Sequence, residues 1–145
     1  MNALNPIKSY PPLEEKFNVI SHAIGLILSL IALVLLVGRA YVYGDFEYLL
    51  SFTIFGVSLV VLYAASTFYH MAEKADRRIK LRIFDHASIY ILIAGTYTPF
   101  TLLVLKSPTG WMIFGVVWVL AIAGIILKLF FTGRFKFLSD RKSVV

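Results

Sequence analysis

The chain has 145 residues, 59% of them hydrophobic, and a mean hydropathy of +0.83. A soluble domain of this size cannot hide that much apolar surface from water, so lipid must cover part of it. The formal charge of +6 and sequence pI of about 9.7 do not point to nucleic acid, because the basic residues fall between apolar runs, as in cytoplasmic loops, and the lack of cysteine excludes disulfides and thiolate metal sites.

Residues 1–16 contain Pro6, Pro11 and Pro12 and read as a cytoplasmic N-terminal segment. Pro12 followed by Leu13, Glu14 and Glu15 has the pattern of a helix start, with proline first and acids in the first turn. A helix is therefore expected to begin on the membrane surface and run into the first span.

Four runs then lack Asp, Glu, Lys and Arg: Phe17 to Gly38, Tyr48 to Ala72, His86 to Leu105, and Ser107 to Leu127. About 20 residues at a rise of ~1.5 Å cross a hydrocarbon layer of ~30 Å. Backbone in lipid must satisfy its own hydrogen bonds, so the expected fold class is an all-α membrane protein with four transmembrane helices. They are placed near residues 18–42, 46–71, 83–105 and 110–131, within a transmembrane domain spanning 17–139. A cleavable signal peptide does not account for the first run, which is longer than an h-region of ~7–15 residues and has no small-residue cleavage site after it. Pro99 is expected to bend the third helix, with the hydroxyls of the Gly95-Thr96-Tyr97-Thr98 stretch re-satisfying freed carbonyls. Tyr41, Tyr43, Tyr48, Tyr69 and Trp111 fall near span ends, as interfacial aromatics do, whereas Trp118 lies deeper and is assigned to packing.

Charge sets the orientation. With the N-terminus inside, the inner side holds Lys8 and Lys16, five basic residues from Lys74 to Arg82, and five from Lys128 onward, leaving only Arg39 and Lys106 outside. The positive-inside rule then places both termini in the cytoplasm, with the chain multi-pass in the cell's inner (plasma) membrane.

On that orientation His22, His70 and His86 all lie near the inner face, with Asp85 beside His86. Ser66 and His70 are four residues apart and share one face of the second span. A neutral imidazole beside a carboxylate can take part in a zinc site, the carboxylate acting through a water. From spacing alone, however, an interfacial histidine and a helix-capping aspartate account for His70 and Asp85 more simply, since one His and one Asp are too few zinc donors. Glu14, Asn18, Ser21, His22 and Gly25 form a helical stripe. It reads equally as the wall of a polar pocket, to which His86 is a further candidate, or as an interfacial stripe whose glycine allows close packing.

At these residues the sequence resembles the bacterial hemolysin III proteins of the progestin and adiponectin receptor superfamily. The resemblance runs from about Tyr10 to Ser139. It is carried by Glu15-x-x-Asn18-x-x-Ser21-His22, by Ser66-x-x-Tyr69-His70, and by the long stretch from Phe84-Asp85-His86 through Tyr90 to Gly95-Thr96-Tyr97-Thr98-Pro99. It implies that the four helices correspond to the N-terminal part of a seven-helix fold with zinc in the cytoplasmic leaflet. It maps His70 onto a zinc ligand, Asp85 onto the carboxylate that holds the zinc-bound water, and Ser66 onto the associated serine. Hydrolysis of a lipid amide is the implied chemistry, because the superfamily resembles zinc-dependent ceramidases. A ligand-responsive receptor or stress protein and a cytolytic, membrane-perturbing protein are the alternatives. Two further ligands would come from an H-x-x-x-H motif in a seventh helix, and no such motif occurs in this sequence. His22 and His86 are not expected to replace them, having separate places in the pattern. After Ser139 the charged run Asp140-Arg141-Lys142-Ser143-Val144-Val145 does not continue the resemblance. A truncated or misassembled reading frame with a foreign tail at 140–145, and an inactive fragment with weak or no zinc, are the corresponding expectations.

Overall fold

The computed structural model describes the backbone of residues 11–141 and the side chains of residues 11–130. Helix α1 spans Pro12–Tyr43, α2 Phe46–Met71, α3 Ala75–Pro99 and α4 Pro108–Arg141. A π-helical turn, Phe100–Val104, continues α3. All four helices are long and apolar enough to cross a membrane. The first ten residues and residues 142–145, which carry most of the expected N-terminal loop and of the tail, lie outside the described residues.

The ends of the helices have local causes. Pro12 opens α1 and places Glu14 and Glu15 in its first turn, where their charge complements the helix dipole. As the Pro12-Leu13-Glu14-Glu15 pattern leads one to expect, the helix begins ahead of the first span, within the N-terminal segment, and continues into it. Gly44 leaves the helix in extended backbone, and Asp45 caps α2 by accepting the Tyr48 amide at 3.0 Å. Ser107 caps α4 through its hydroxyl and carbonyl to the Gly110 amide. The preceding Lys106 turns the chain with φ of 37°, a left-handed conformation seldom taken by a residue with a side chain.

Two expected boundaries are corrected. Helix α3 begins at Ala75, not near residue 83, and α4 runs to Arg141, not to about residue 131. The charges of Asp76, Arg77, Arg78, Lys80 and Arg82 bar these turns from hydrocarbon but not from helix, because Arg, Lys and Leu are good helix formers. The same holds for the basic end of α4, so residues 140 and 141 of the expected tail are helical.

Each helix packs on its neighbours in sequence, α1 on α2, α2 on α3 and α3 on α4, through short connections. Described residues make no contact between α1 and α4, so the helices form an open row. The buried residues are mostly small or hydroxylated: Ser29, Ser51, Gly56, Ser58, Ser66, Ala87, Ser88, Ala94, Gly95 and Thr98. Without a hydrophobic drive between helices in lipid, small residues bring backbones close enough for dispersion to hold them. Gly95 and Gly110 are the tightest cases, since a methyl group would collide with the Ser58 hydroxyl at the first and with the Thr101 carbonyl at the second. Large apolar side chains such as Ile24, Ile27, Leu28, Val34, Val119 and Leu120 face outward, toward lipid.

The Pro99 region behaves differently from expectation. The Thr96 and Thr98 hydroxyls donate to the Leu92 and Ala94 carbonyls, and Thr101 donates to Thr98, so none serves the Gly95 carbonyl that proline leaves without its amide. The helix widens instead, and the Leu105 amide bonds the Phe100 carbonyl five residues back. Trp118 contributes more than packing: its indole N–H donates to Thr98 Oγ1 at 3.1 Å and ties α4 to α3.

Candidate functional site

The start of α1, the end of α2 and the start of α3 meet at one end of the row. Lys16, Lys74, Arg77, Arg78, Lys80 and Arg82 gather there, so it is called the basic end.

His70 closes α2 and is the centre of this end. Its Nδ1 lies 3.2 Å from Glu15 Oε1 of α1. Arg78 Nη2 of α3 donates to that same oxygen at 2.5 Å. Three helices are therefore joined through one carboxylate oxygen. The Arg78 guanidinium also lies over the Tyr69 ring, 5.0 Å from its centroid, and Nη1 reaches the Ala72 carbonyl at 3.4 Å. The His22 ring of α1 lies 5.4 Å from that of His70 with planes only 5° apart. Gly25, one turn further in, lets the Tyr63 ring approach α1, and that ring lies 6.2 Å from His22.

The other residues singled out by sequence divide. Both His70 and Asp85 lie within electrostatic reach of the His22 ring. Ser66 is buried on α2, one turn before His70. Asn18 is half-buried on the same side of α1 as Glu15 and His22. Ser21 is exposed, and its hydroxyl bonds back to the Asn18 carbonyl at 3.1 Å. His86 turns toward α4, sharing a small cavity with Arg82, Ile83 and Lys128, while its Nδ1 bonds the Arg82 carbonyl at 2.6 Å. Asp85 Oδ2 is 3.9 Å from His86 Nδ1, too far for a hydrogen bond. Ser21 and His86 are thus not brought into the cluster.

Glu15 and Arg78 are the residues that sequence reasoning left out of the site. Glu14, which the stripe favoured, is exposed. Both glutamates have helical spacing to Asn18, but only Glu15 adds the seven-residue step to His22 that keeps one face.

Zinc in proteins takes four donors as a rule. Among the described residues no group of three or more His, Cys, Asp or Glu is placed to hold a metal ion. The described residues therefore do not form a complete metal site.

The sequence profile described as "Haemolysin-III related" matches residues 11–141. The chain belongs to the haemolysin-III family. It is 46% identical over 122 residues to Hemolysin-3 of Bacillus cereus, an alignment covering 84% of this chain and 56% of that protein. It is 48% identical over 126 residues to a Hemolysin-3 homolog of Bacillus subtilis (strain 168), covering 87% of this chain and 59% of that one. The chain thus spans less than two thirds of the length of these relatives. No solved structure matches it significantly.

Proposed function

We propose that this family member is a plasma-membrane protein with its basic end in the cytoplasm, and that this end is the N-terminal contribution to a zinc-dependent site for hydrolysing a lipid amide. The observation that carries the reading is the stacking of the His22 ring of α1 on the His70 ring of α2, 5.4 Å between centroids, with Asp85 of α3 within electrostatic reach of His22. Ionisable groups at membrane depth are costly and mark function. The orientation rests on the charge asymmetry between Lys74, Arg77, Arg78, Lys80 and Arg82 at this end and Arg39 and Lys106 at the other.

In this reading His70 supplies one metal donor, Asp85 a carboxylate for holding water near it, and Ser66 a hydroxyl on the wall above. Zinc, when bound, supplies Lewis acidity toward a carbonyl and acidifies coordinated water. The remaining donors belong to the protein at the length of its relatives.

The test is metal analysis of a haemolysin-III protein of that length, with and without replacement of the histidine corresponding to His70 by alanine. Stoichiometric zinc, lost in the variant, is expected. A folded, metal-free protein sinks the reading. Release of a fatty acid from a ceramide-like substrate separates the hydrolase from a receptor that binds lipid without turnover.

A further inference from the structure

Which nitrogen of a histidine can donate a lone pair depends on where the ring proton sits. At His70 the surroundings decide this. Glu15 Oε1 faces His70 Nδ1 at 3.2 Å and accepts from Arg78 Nη2 at 2.5 Å. A carboxylate paired with a guanidinium is ionised and is an acceptor only. The proton in the Glu15–His70 contact must therefore come from the ring, so Nδ1 carries it, and in the neutral ring Nε2 carries the lone pair.

We infer that Glu15, held in place by Arg78, is a positioning residue that fixes His70 in its Nδ1–H tautomer and makes Nε2 the donor atom. Carboxylates behind metal-binding histidines orient and polarise the ring in this way. Here the carboxylate is itself anchored by a cation from a third helix. Arg78 is immobilised in turn by the Tyr69 ring and the Ala72 carbonyl, so α3 reaches His70 through α1. The His22 stack and the tilted Tyr69 ring at 4.7 Å restrict the plane of the imidazole. The inference rests on the proposed function only for what Nε2 meets. The tautomer stands or falls without any metal.

The experiment uses this chain with 15N-labelled histidine, in lipid nanodiscs and metal-free buffer, at a pH of about 8.5, where an ordinary histidine is neutral. Nitrogen shifts separate an N–H nitrogen from a lone-pair nitrogen, and His70→Gln assigns the signal. His86 is an internal control, because its Nδ1 bonds the Arg82 carbonyl independently of Glu15. Wild-type His70 is expected to be predominantly Nδ1–H. Glu15→Ala is expected to reverse this, giving a majority of the Nε2–H form that free imidazole side chains favour, with His86 unchanged. Glu15→Gln keeps the shape, removes the charge and is expected to fall between. A wild-type His70 that is mainly Nε2–H overturns the inference. So does an unchanged His70 tautomer in Glu15→Ala, or in Glu15→Gln should the alanine variant fail to insert. Zinc absent from the longer protein, with the tautomer as described, would defeat the proposed function and leave this inference intact.

Discussion

The two ends of the helix row meet the membrane surface in opposite ways. At the basic end Glu15 and Arg78 are drawn inward, with side chains only 18% and 13% exposed. At the other end Asp45 and Lys106 face each other at 3.8 Å with side chains 53% and 58% exposed, and Glu47 accepts from the Trp111 indole at 3.2 Å on an exposed rim. Both ends pair opposite charges, but only one takes them out of water. Withdrawal makes a pair costly to break, whereas exposed pairs are screened and contribute little. The basic end is therefore built for fixed geometry, and the opposite end for holding two hairpins at an interface.

The largest effect expected is at Arg78. Replacing it by alanine leaves the Glu15 carboxylate half-buried without its cation, at a cost on the order of 2–3 kcal/mol. Reversible unfolding in mixed micelles measures it. Arg78→Ala combined with Glu15→Ala should cost clearly less than the sum of the two. Strict additivity would mean that the two ends do not differ in kind. Gly25→Ala attacks the same end from below, because the added methyl must displace the Tyr63 ring beside His22. The expected loss is about 1–2 kcal/mol in the same assay. Trp111→Phe removes an exposed hydrogen bond and should cost about 0.5 kcal/mol. Asp45→Asn keeps the cap and removes the charge facing Lys106, and a shift of about 0.3 kcal/mol or less is expected. A loss above that of Gly25→Ala would erase the contrast.

The four helices were legible because charge is forbidden in hydrocarbon, and four long uncharged runs admit little else. Their starts and stops were less so. Lipid burial and helix formation are different conditions, and the stretch from Ala75 to Arg82 meets only the second. That misreading hid the site's main cation. Counted as loop, Arg78 had no defined direction. As the first turn of α3 it points back at Glu15. His70 and Ser66 shared a face by spacing alone, and that face is turned inward. His86 could not be placed in the same way, because sequence gives its depth but not which neighbour, α2 or α4, it faces. Ser21 sits one residue off the inward face that His22 occupies, and a hydroxyl there is satisfied by its own backbone. The widened turn after Pro99 was unreadable for a related reason: proline announces a lost hydrogen bond, while the repair chosen depends on how α4 packs.

The Glu15–Arg78 contact also carries a schedule. Helices packed in chain order can pair as each leaves the ribosome, and the hairpins need no distant partner. This contact does not pair neighbours in the chain: it joins α1 to α3, across residues 63 apart in sequence. At roughly 5–20 residues per second, Glu15 waits on the order of 3–13 seconds for Arg78 to be made. Until then α1 and α2 lie together with their histidines unbraced, and synthesis of the first turn of α3 is the event that locks them.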